Sequence, residues 1–287
     1  MTAYDLSTQA GRGWSSGPVT ERAYCVLAGN PGVMTLDGTN TWVLREPGAH
    51  ECVVVDPGPL HEEHLQRVMA AATREGGRVG LTLLTHDHAD HAEAAARFAE
   101  LSGAPVRRLG RAHDDLGDGD RLVVGDLELL VVTTPGHTSD SLSFLMTAEN
   151  ALLTGDTVLG RGTTVVAWPD GRLEDYLHSL GRIEHLTLAG TVTRILPGHG
   201  PDLPDAAAVL RFYLEHRAER LDQVRAAVAA GARTPRQVVE IAYTDAPRAN
   251  WAAAELSVRA QLDYLHARLP RTDRPGDATA SLSGPGA

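Results

Sequence analysis

The sequence contains no lysine, and all 26 of its basic residues are arginines. A lysine nucleophile and a lysine Schiff base are therefore excluded. Cysteine is also rare. Cys25 and Cys52 lie in or beside apolar runs without metal-site spacing, which predicts reduced core thiols of an intracellular protein and leaves a bond between them open. No apolar run approaches the roughly 18 residues of a membrane span, and residues 1–20 lack the apolar core of a signal peptide. We expect a cytoplasmic protein that does not bind membranes.

Positive charge is scarce as well. The 287 residues include 26 basic and 37 acidic side chains, a net charge of −11, so the field of the whole molecule disfavours nonspecific attraction to nucleic acid. Residues 205–287 carry 11 arginines and 10 acidic residues, so this end is close to neutral and is not a basic nucleic-acid footprint. The length allows one large domain, or one domain with a small appendage, and a hydrophobic content of 43% is typical of a full core.

The most informative stretch is Thr85-His86-Asp87-His88-Ala89-Asp90-His91. It follows an apolar run at 79–84 that predicts a buried strand, and it precedes an alanine-rich segment that predicts a helix. Alternate residues of an extended segment point the same way, so His86 and His88 can converge on one cation. Asp90 and His91 follow the bend and can reach a second cation, and both ligand types suit zinc. The alternative is a helix cap formed by Asp90, which explains none of the histidines.

Three further predicted strands end in short turns that carry a histidine or an aspartate. These residues are His137 in Pro135-Gly136-His137, Asp156 in Gly155-Asp156, and His199 in Pro197-Gly198-His199. Strand ends on one edge are where open α/β sheets place their sites. With the first cluster, they supply enough ligands for two metals that share one carboxylate.

The remaining segments carry weaker expectations. Residues 1–20 predict a flexible arm, and residues 60–75 a helix whose His61 and His64 are solvated. The acidic stretch 114–120 lacks the ligand order of a calcium loop and predicts a solvated turn. From 204 onward, helical spacing predicts three helices, at 205–230, 235–243 and 248–268.

The complete motif set resembles the metallo-β-lactamase superfamily over about residues 20–203. The resemblance implies an α/β fold of the αββα sandwich type. It also implies two Zn²⁺ per chain: His86, His88 and His137 hold the first, and Asp90, His91 and His199 hold the second, with Asp156 bridging. Asp56 resembles the aspartate that orients a ligand histidine. The domains expected are a 21–203 catalytic domain, a 204–270 helical, winged-helix-like domain and a disordered 271–287 tail.

Within the superfamily, the sequence is most similar to lactamase-like endoribonucleases with a C-terminal winged helix. This likeness includes Tyr213-Leu214-Glu215-His216-Arg217-Ala218-Glu219-Arg220. Similar sequences also include acyl-carrier-protein thioesterases. Glyoxalase II differs in the stretch after Asp156, and secreted lactamases fit poorly, although a lactonase or lactamase-type reaction stays an alternative. The resemblance therefore implies an endoribonuclease that acts on single-stranded RNA, and a thioesterase that acts on a small acyl substrate is the alternative. A homodimer is an open alternative.

The resemblance implies hydrolysis by a hydroxide that bridges two zinc ions, with Asp90 and Asp156 as catalytic carboxylates. We expect the 30–40 turn and residues 160–169 to bind substrate. The candidate contacts are Thr39, Asn40, Arg161 and Trp168, although Trp168 can equally be a packing residue. Arg217 and Arg220 are candidates to meet a phosphate, with solvated helix charges as the alternative.

Overall fold

A computed structural model describes residues 13–110, 115–244 and 246–268 of the chain. Two β-sheets form its centre. The first has six strands in the order β1 to β6: Gly17–Pro18, Ala23–Leu27, Asn40–Leu44, Glu51–Val55, Arg78–Leu83 and Val106–Arg107. Strands β1 to β4 pair antiparallel, whereas β4, β5 and β6 pair parallel. A crossover helix connects β4 to β5, as parallel pairing requires.

The second sheet has five strands in the order β11-β10-β9-β8-β7. Their bounds in chain order, from β7 to β11, are Arg121–Val124, Leu127–Thr133, Leu142–Met146, Ala151–Gly155 and Arg194–Pro197. All pairs are antiparallel except β10 with β11.

Seven helices surround the sheets in the described residues. From α1 to α7 they are Glu62–Ala72, Ala89–Ala92, Ala95–Ser102, Leu173–Leu188, Ala206–Ala229, Pro235–Ala242 and Trp251–Ala267. Short 3-10 turns occupy Arg74–Gly76, Thr147–Glu149 and Arg248–Asn250. None of the described helices is long and apolar enough to cross a membrane.

The layers follow from which faces are buried. Trp42, Leu44 and Leu83 of the first sheet pack against Phe144 and Leu153 of the second, so the two sheets face each other. Opposite faces carry alternate strand residues, and the outer faces are covered by helices. Helices α1 and α3 pack on the first sheet. Helices α4 and α5 pack on the second. The predicted αββα sandwich is confirmed.

The C-terminal helices pack partly on this sandwich. Tyr213 of α5 and Ala260 of α7 belong to the same apolar cluster as Leu152 and Ile195 of the second sheet. A smaller cluster joins α5, α6 and α7 around Val224, Val239 and Val258. Residues 206–244 and 246–268 are helices and connecting turns without a strand, so a wing hairpin is not found there. The winged-helix assignment is therefore not confirmed.

Two expectations for the N-terminal half need correction. Residues 13–20 are not a loose arm, because β1 pairs with β2 and the Trp14 indole Nε1 donates a 2.7 Å hydrogen bond to Asn40 Oδ1. His64 is not solvated: it is buried, and its Nε2 lies 2.9 Å from Thr41 Oγ1. Helical spacing places His64 on the face of α1 that buries Leu65 and Val68, so its position in the first turn does not expose it. Residues 1–12, Asp114 and the expected tail at 271–287 lie outside the described residues.

Candidate metal centre

Strand ends of both sheets bring the predicted ligands together at one edge of the sandwich. His86 and His88 follow β5, Asp90 and His91 lie in the short helix α2, and His137, Asp156 and His199 follow β8, β10 and β11. Three groups of metal-ligating atoms lie within 4.8 Å of one another in each group. They are His86 with His88 and His137, His86 with His91 and Asp156, and Asp90 with His91 and His199.

The first group presents three ring nitrogens to one point. His88 Nδ1 lies 3.1 Å from both His86 Nε2 and His137 Nε2. Zinc–nitrogen bonds of about 2.0–2.1 Å in a tetrahedral site place neighbouring nitrogens about 3.3 Å apart, close to this spacing. The arrangement therefore fits a cation held by three imidazoles.

The second group adds a carboxylate. His199 Nε2 lies 3.2 Å from both Asp90 Oδ2 and His91 Nε2. Asp156 lies between the two groups, with Oδ1 3.4 Å from His91 Nε2 and Oδ2 3.7 Å from His137 Nε2. Its Oδ1 is buried without a hydrogen-bond partner in the described part of the chain. A buried carboxylate oxygen without a hydrogen bond is costly, and a bound cation would satisfy it.

The outer nitrogens of two histidines are held by backbone. His137 Nδ1 lies 2.8 Å from Val165 O, and His199 Nδ1 lies 3.1 Å from Gly38 O. Since a carbonyl only accepts, each Nδ1 carries a proton, so Nε2 is the nitrogen that each ring can offer to a cation. The fold thus sets the tautomer that metal ligation needs.

Asp56 supports two more members of the cluster. Its Oδ2 lies 2.8 Å from His91 Nδ1 and accepts the Thr85 hydroxyl at 2.7 Å, while its Oδ1 accepts Thr85 N–H at 2.7 Å. The same hydroxyl oxygen lies 3.0 Å from His86 Nδ1. The aspartate is 2% exposed, in a left-handed backbone conformation at φ 53°. Its contacts match the orienting role that the resemblance implies, and this role stays a proposal.

The charges divide the cluster into two environments. Burial opposes protonation of His199, but the negative Asp156 and hydrogen bonds to Asp156 and Asp90 raise the pKa of His199 to about 9. The pKa of His91 is also raised, because Asp156 and Asp56 outweigh its burial. Burial lowers the pKa values of His86 and His137. His91 and His199 therefore favour the positively charged form beside carboxylates, whereas His86 and His137 favour the neutral imidazole with a free lone pair.

A cavity of about 320 Å³ opens on His137 and Asp156. The 33–36 turn and residues 159–165 line one side, and the C-terminal helices line the other. Val33, Met34 and Leu159 make much of the near wall apolar. Arg161 also lines it, and its guanidinium donates to Asp37 Oδ2 at 2.6 Å. The cavity can hold a substrate whose reacting atom lies beside the histidine cluster.

The other predicted substrate contacts lie elsewhere. Thr39 and Asn40 are 0% exposed, so direct contact with a substrate is not available to them. The Asn40 amide donates to Pro197 O at 2.9 Å and Gly200 O at 2.8 Å, which holds the loop of His199. Trp168 is 41% exposed and is not part of the cavity lining, so its role stays a prediction.

On the wall formed by the C-terminal helices, the sequence identified Arg217 and Arg220 but not three further lining residues. They are Tyr243, Asn250 and Ser257. These residues carry no motif, and helical periodicity only identifies a packing face. Their position depends on how α6 and α7 dock, which local sequence does not report.

Residues 34–199 match the family described as the Metallo-beta-lactamase superfamily. The "Beta-lactamase-like protein 2 homolog" of Caenorhabditis elegans is 31% identical over 252 residues, which cover 84% of this chain and 82% of that protein. An "Atrochrysone carboxyl ACP thioesterase" of Aspergillus fumigatus is 35% identical over 216 residues, covering 72% of this chain and 64% of its own length. A beta-lactamase domain protein from Burkholderia ambifaria superposes with a TM-score of 0.72 at 23% identity, covering 87% of each chain.

Proposed function

The chain belongs to the metallo-beta-lactamase superfamily as a hydrolase of that fold, and we propose that it is a dinuclear zinc enzyme that cleaves acyl thioesters. The observation that carries the substrate class is the partly apolar cavity that opens on Asp156 and His137. The likeness to a protein named as an acyl-carrier-protein thioesterase supports the same class.

The residues that would hold the metals are the seven already described. His86, His88 and His137 would hold one zinc, and Asp90, His91 and His199 the other, with Asp156 between them. When bound, a pair of zinc ions supplies an activated water at neutral pH and polarises the group under attack. The unpartnered Oδ1 of Asp156 and the fixed tautomers of His137 and His199 support this assignment.

The protein's own residues would orient the reactants. Asp90 has a lowered pKa: hydrogen bonding to His199 and the positive charge on His91 outweigh the effect of its burial. It is therefore ionised at neutral pH, and its partly exposed carboxylate can accept a hydrogen bond from the attacking water. The thioester carbonyl would lie beside His137 at the mouth of the cavity, with the acyl chain along Val33, Met34 and Leu159. These apolar contacts exclude water around the reacting bond.

RNA cleavage is the second candidate, because Arg161, Arg217 and Arg220 all line the same cavity. Each of them already has contacts within the protein. Arg161 pairs with Asp37, Arg217 donates to Thr164 O, and Arg220 donates to Ala242 O. With a net charge of −11, the molecule also repels a polyanion at long range. The thioester is therefore the better supported substrate.

The deciding experiment compares both substrates on zinc-loaded protein at low and physiological salt. An S-acyl pantetheine should be hydrolysed with little salt dependence, and only in the presence of metal. RNA cleavage would instead weaken steeply with salt, by a slope of about −0.7 per phosphate contact on a single strand. Metal-dependent cleavage of a labelled single-stranded RNA without thioester turnover would overturn the proposal.

A pair of variants tests the cavity itself. Met34→Glu places a charge on the apolar wall and should raise KM most for long acyl chains. Val123→Glu is the matched control, because Val123 is 61% exposed on strand β7 and is not part of the cavity lining. Equal kinetics for both variants across acyl-chain lengths would contradict the proposed acyl site.

A further inference from the structure

One face of α5 is directed at the loop that carries Asp156. Tyr213, Arg217 and Arg220 lie at i, i+4 and i+7 and so share that face. The Tyr213 hydroxyl accepts Leu159 N–H at 2.8 Å, and the Arg217 guanidinium donates to Thr164 O. Arg220 donates to Ala242 O of α6 at 2.8 Å. These contacts tie this face of α5 to the loop after β10 and to α6.

The segment that Tyr213 and Arg217 hold is the loop 156–165, here named the metal strap. It begins with Asp156 and ends with Val165, whose carbonyl accepts the proton of His137 Nδ1 at 2.8 Å. Between them, the Thr164 hydroxyl donates to Asp156 O. Thr164 and Val165 therefore connect two predicted ligands that come from different strand ends.

Arg217 is an unusual residue to bury. It is 6% exposed, and its guanidinium lies 4.9 Å from the centre of the Tyr176 ring. The Tyr176 hydroxyl donates in turn to Thr157 O of the metal strap at 2.7 Å. Within the described residues the Nε of Arg217 is buried without a hydrogen-bond partner. Burying a cation costs free energy of folding, so packing alone does not explain why an arginine occupies this position. Its contacts to the metal strap suggest a role at the site.

We propose that Arg217 is a positioning residue for the metal centre, acting through Thr164 on Asp156 and His137. The guanidinium holds the strap carbonyl, the Thr164 hydroxyl holds the backbone of Asp156, and Val165 O keeps His137 Nδ1 protonated. The C-terminal helix α5 is thereby part of the metal site, although it supplies no ligand. This inference rests on the proposed metal centre.

The test uses the full chain and measures metal binding separately from activity. Arg217→Met and Thr164→Val should each weaken the affinity for one zinc by about 10- to 100-fold, the usual effect of removing a residue that orients a metal ligand. The visible absorption spectrum of the cobalt-loaded variants should change, because the ligand geometry at Asp156 and His137 changes. Arg217→Lys should restore part of the affinity, since an ammonium group can still donate to Thr164 O. Arg225→Met is the control on the same helix, where Arg225 is exposed and pairs with Asp222 at 2.6 Å.

The outcomes separate the possible failures. If the wild-type protein binds no zinc or cobalt, the proposed metal centre fails. Suppose that the wild-type protein binds two metals. If Thr164→Val and the folded Arg217 variants then show the wild-type metal affinities and cobalt spectrum, the positioning role of Arg217 is wrong. A lower melting temperature with unchanged spectrum and affinity would show a purely structural role and would equally overturn the inference. If Arg217→Met fails to fold, Thr164→Val and Arg217→Lys decide the question.

Discussion

Asp87 and Asp90 lie three residues apart, before and within the short helix α2, yet their neighbours give them different chemistry. Asp87 is exposed and pairs with Arg108 at the surface. Asp90 Oδ2 lies 3.2 Å from His199 Nε2, inside the histidine cluster. The same side chain is thus a surface charge at one position and a candidate metal ligand at the other.

The first prediction compares these two aspartates. Asp90→Ala should remove a ligand and an ionised carboxylate, so that the protein retains about one zinc and loses nearly all turnover. Asp87→Ala should keep two zinc ions and near-normal turnover, because it removes only a surface pair worth little in free energy. Elemental analysis after zinc reconstitution measures the metal content. Loss of metal from both variants would show that the ligands are misassigned.

The second prediction concerns His64, whose burial in helix α1 lowers its pKa to about 4. The Thr41 hydroxyl donates to Asp56 O at 2.6 Å, so His64 Nε2 must donate to Thr41 Oγ1 as a neutral ring. In the unfolded chain, His64 takes up its second ring proton near pH 6.5. The contribution of the neutral, buried ring to the free energy of unfolding is therefore complete above pH 6.5 and is lost as the pH falls toward 4. Between pH 7 and pH 5 the loss should be about 2 kcal/mol.

Urea denaturation of metal-free protein at the two pH values measures this effect. His64→Gln should lose the extra pH dependence, whereas His61→Gln, which changes an exposed neighbour in the same turn, should keep it. An unchanged slope in His64→Gln would mean that His64 titrates normally in the folded protein.

At the scale of elements, the site depends on the close approach of loops that follow β10 and β11. Gly160 N–H donates to His199 O at 2.8 Å. A Cβ on Gly160 would lie 2.3 Å from Pro201 O and 2.5 Å from Pro201 N, too close for any side chain. Only glycine lets the metal strap lie against the backbone that carries His199.

The third prediction follows from this contact. Gly160→Ala should displace residues 199–201, weaken zinc binding through His199 and cost about 1–3 kcal/mol of stability, as overpacking does. Gly181→Ala in helix α4 is the control, because a Cβ there meets nothing within 4 Å. It should leave metal binding unchanged and raise stability by up to about 1 kcal/mol. Calorimetric zinc titration and urea denaturation measure both effects, and wild-type zinc affinity in Gly160→Ala would contradict the expectation.

At the scale of the whole molecule, the sandwich and the C-terminal helices share packing. Leu210 and Tyr213 of α5 lie in one apolar cluster with Val132 and Leu152 of the second sheet. The expected boundary near residue 204 therefore crosses a continuous core. Burial of apolar surface across this boundary favours folding as one unit.

The fourth prediction tests that cooperativity with two local probes. One variant keeps only Trp42, which lies between the sheets, and the other keeps only Trp251, which packs with the C-terminal helices. The remaining tryptophans are replaced by phenylalanine. Each variant is unfolded in urea and followed by tryptophan fluorescence and by far-UV circular dichroism. Within each variant, the two signals should give the same midpoint concentration of urea. An earlier transition at Trp251 would establish an independent C-terminal domain.

The sequence alone determined the candidate ligands and, through the family resemblance, the αββα fold. The ligands occur at strand ends, and strand ends are readable because a buried apolar run stops at a Gly- or Pro-containing turn. His86, Asp156 and His199 are each identified by such a local signal.

The tertiary structure decided which side chains face the site and which support it. Asn40 and Thr39 lie in the interior, Arg217 lies buried against the metal strap, and Tyr243 lines the cavity. No local pattern distinguishes these outcomes, because the burial of a polar side chain depends on which distant element packs against it. The cavity has the same origin, since one wall comes from the 33–36 turn and the other from helices near the C-terminal end of the described chain.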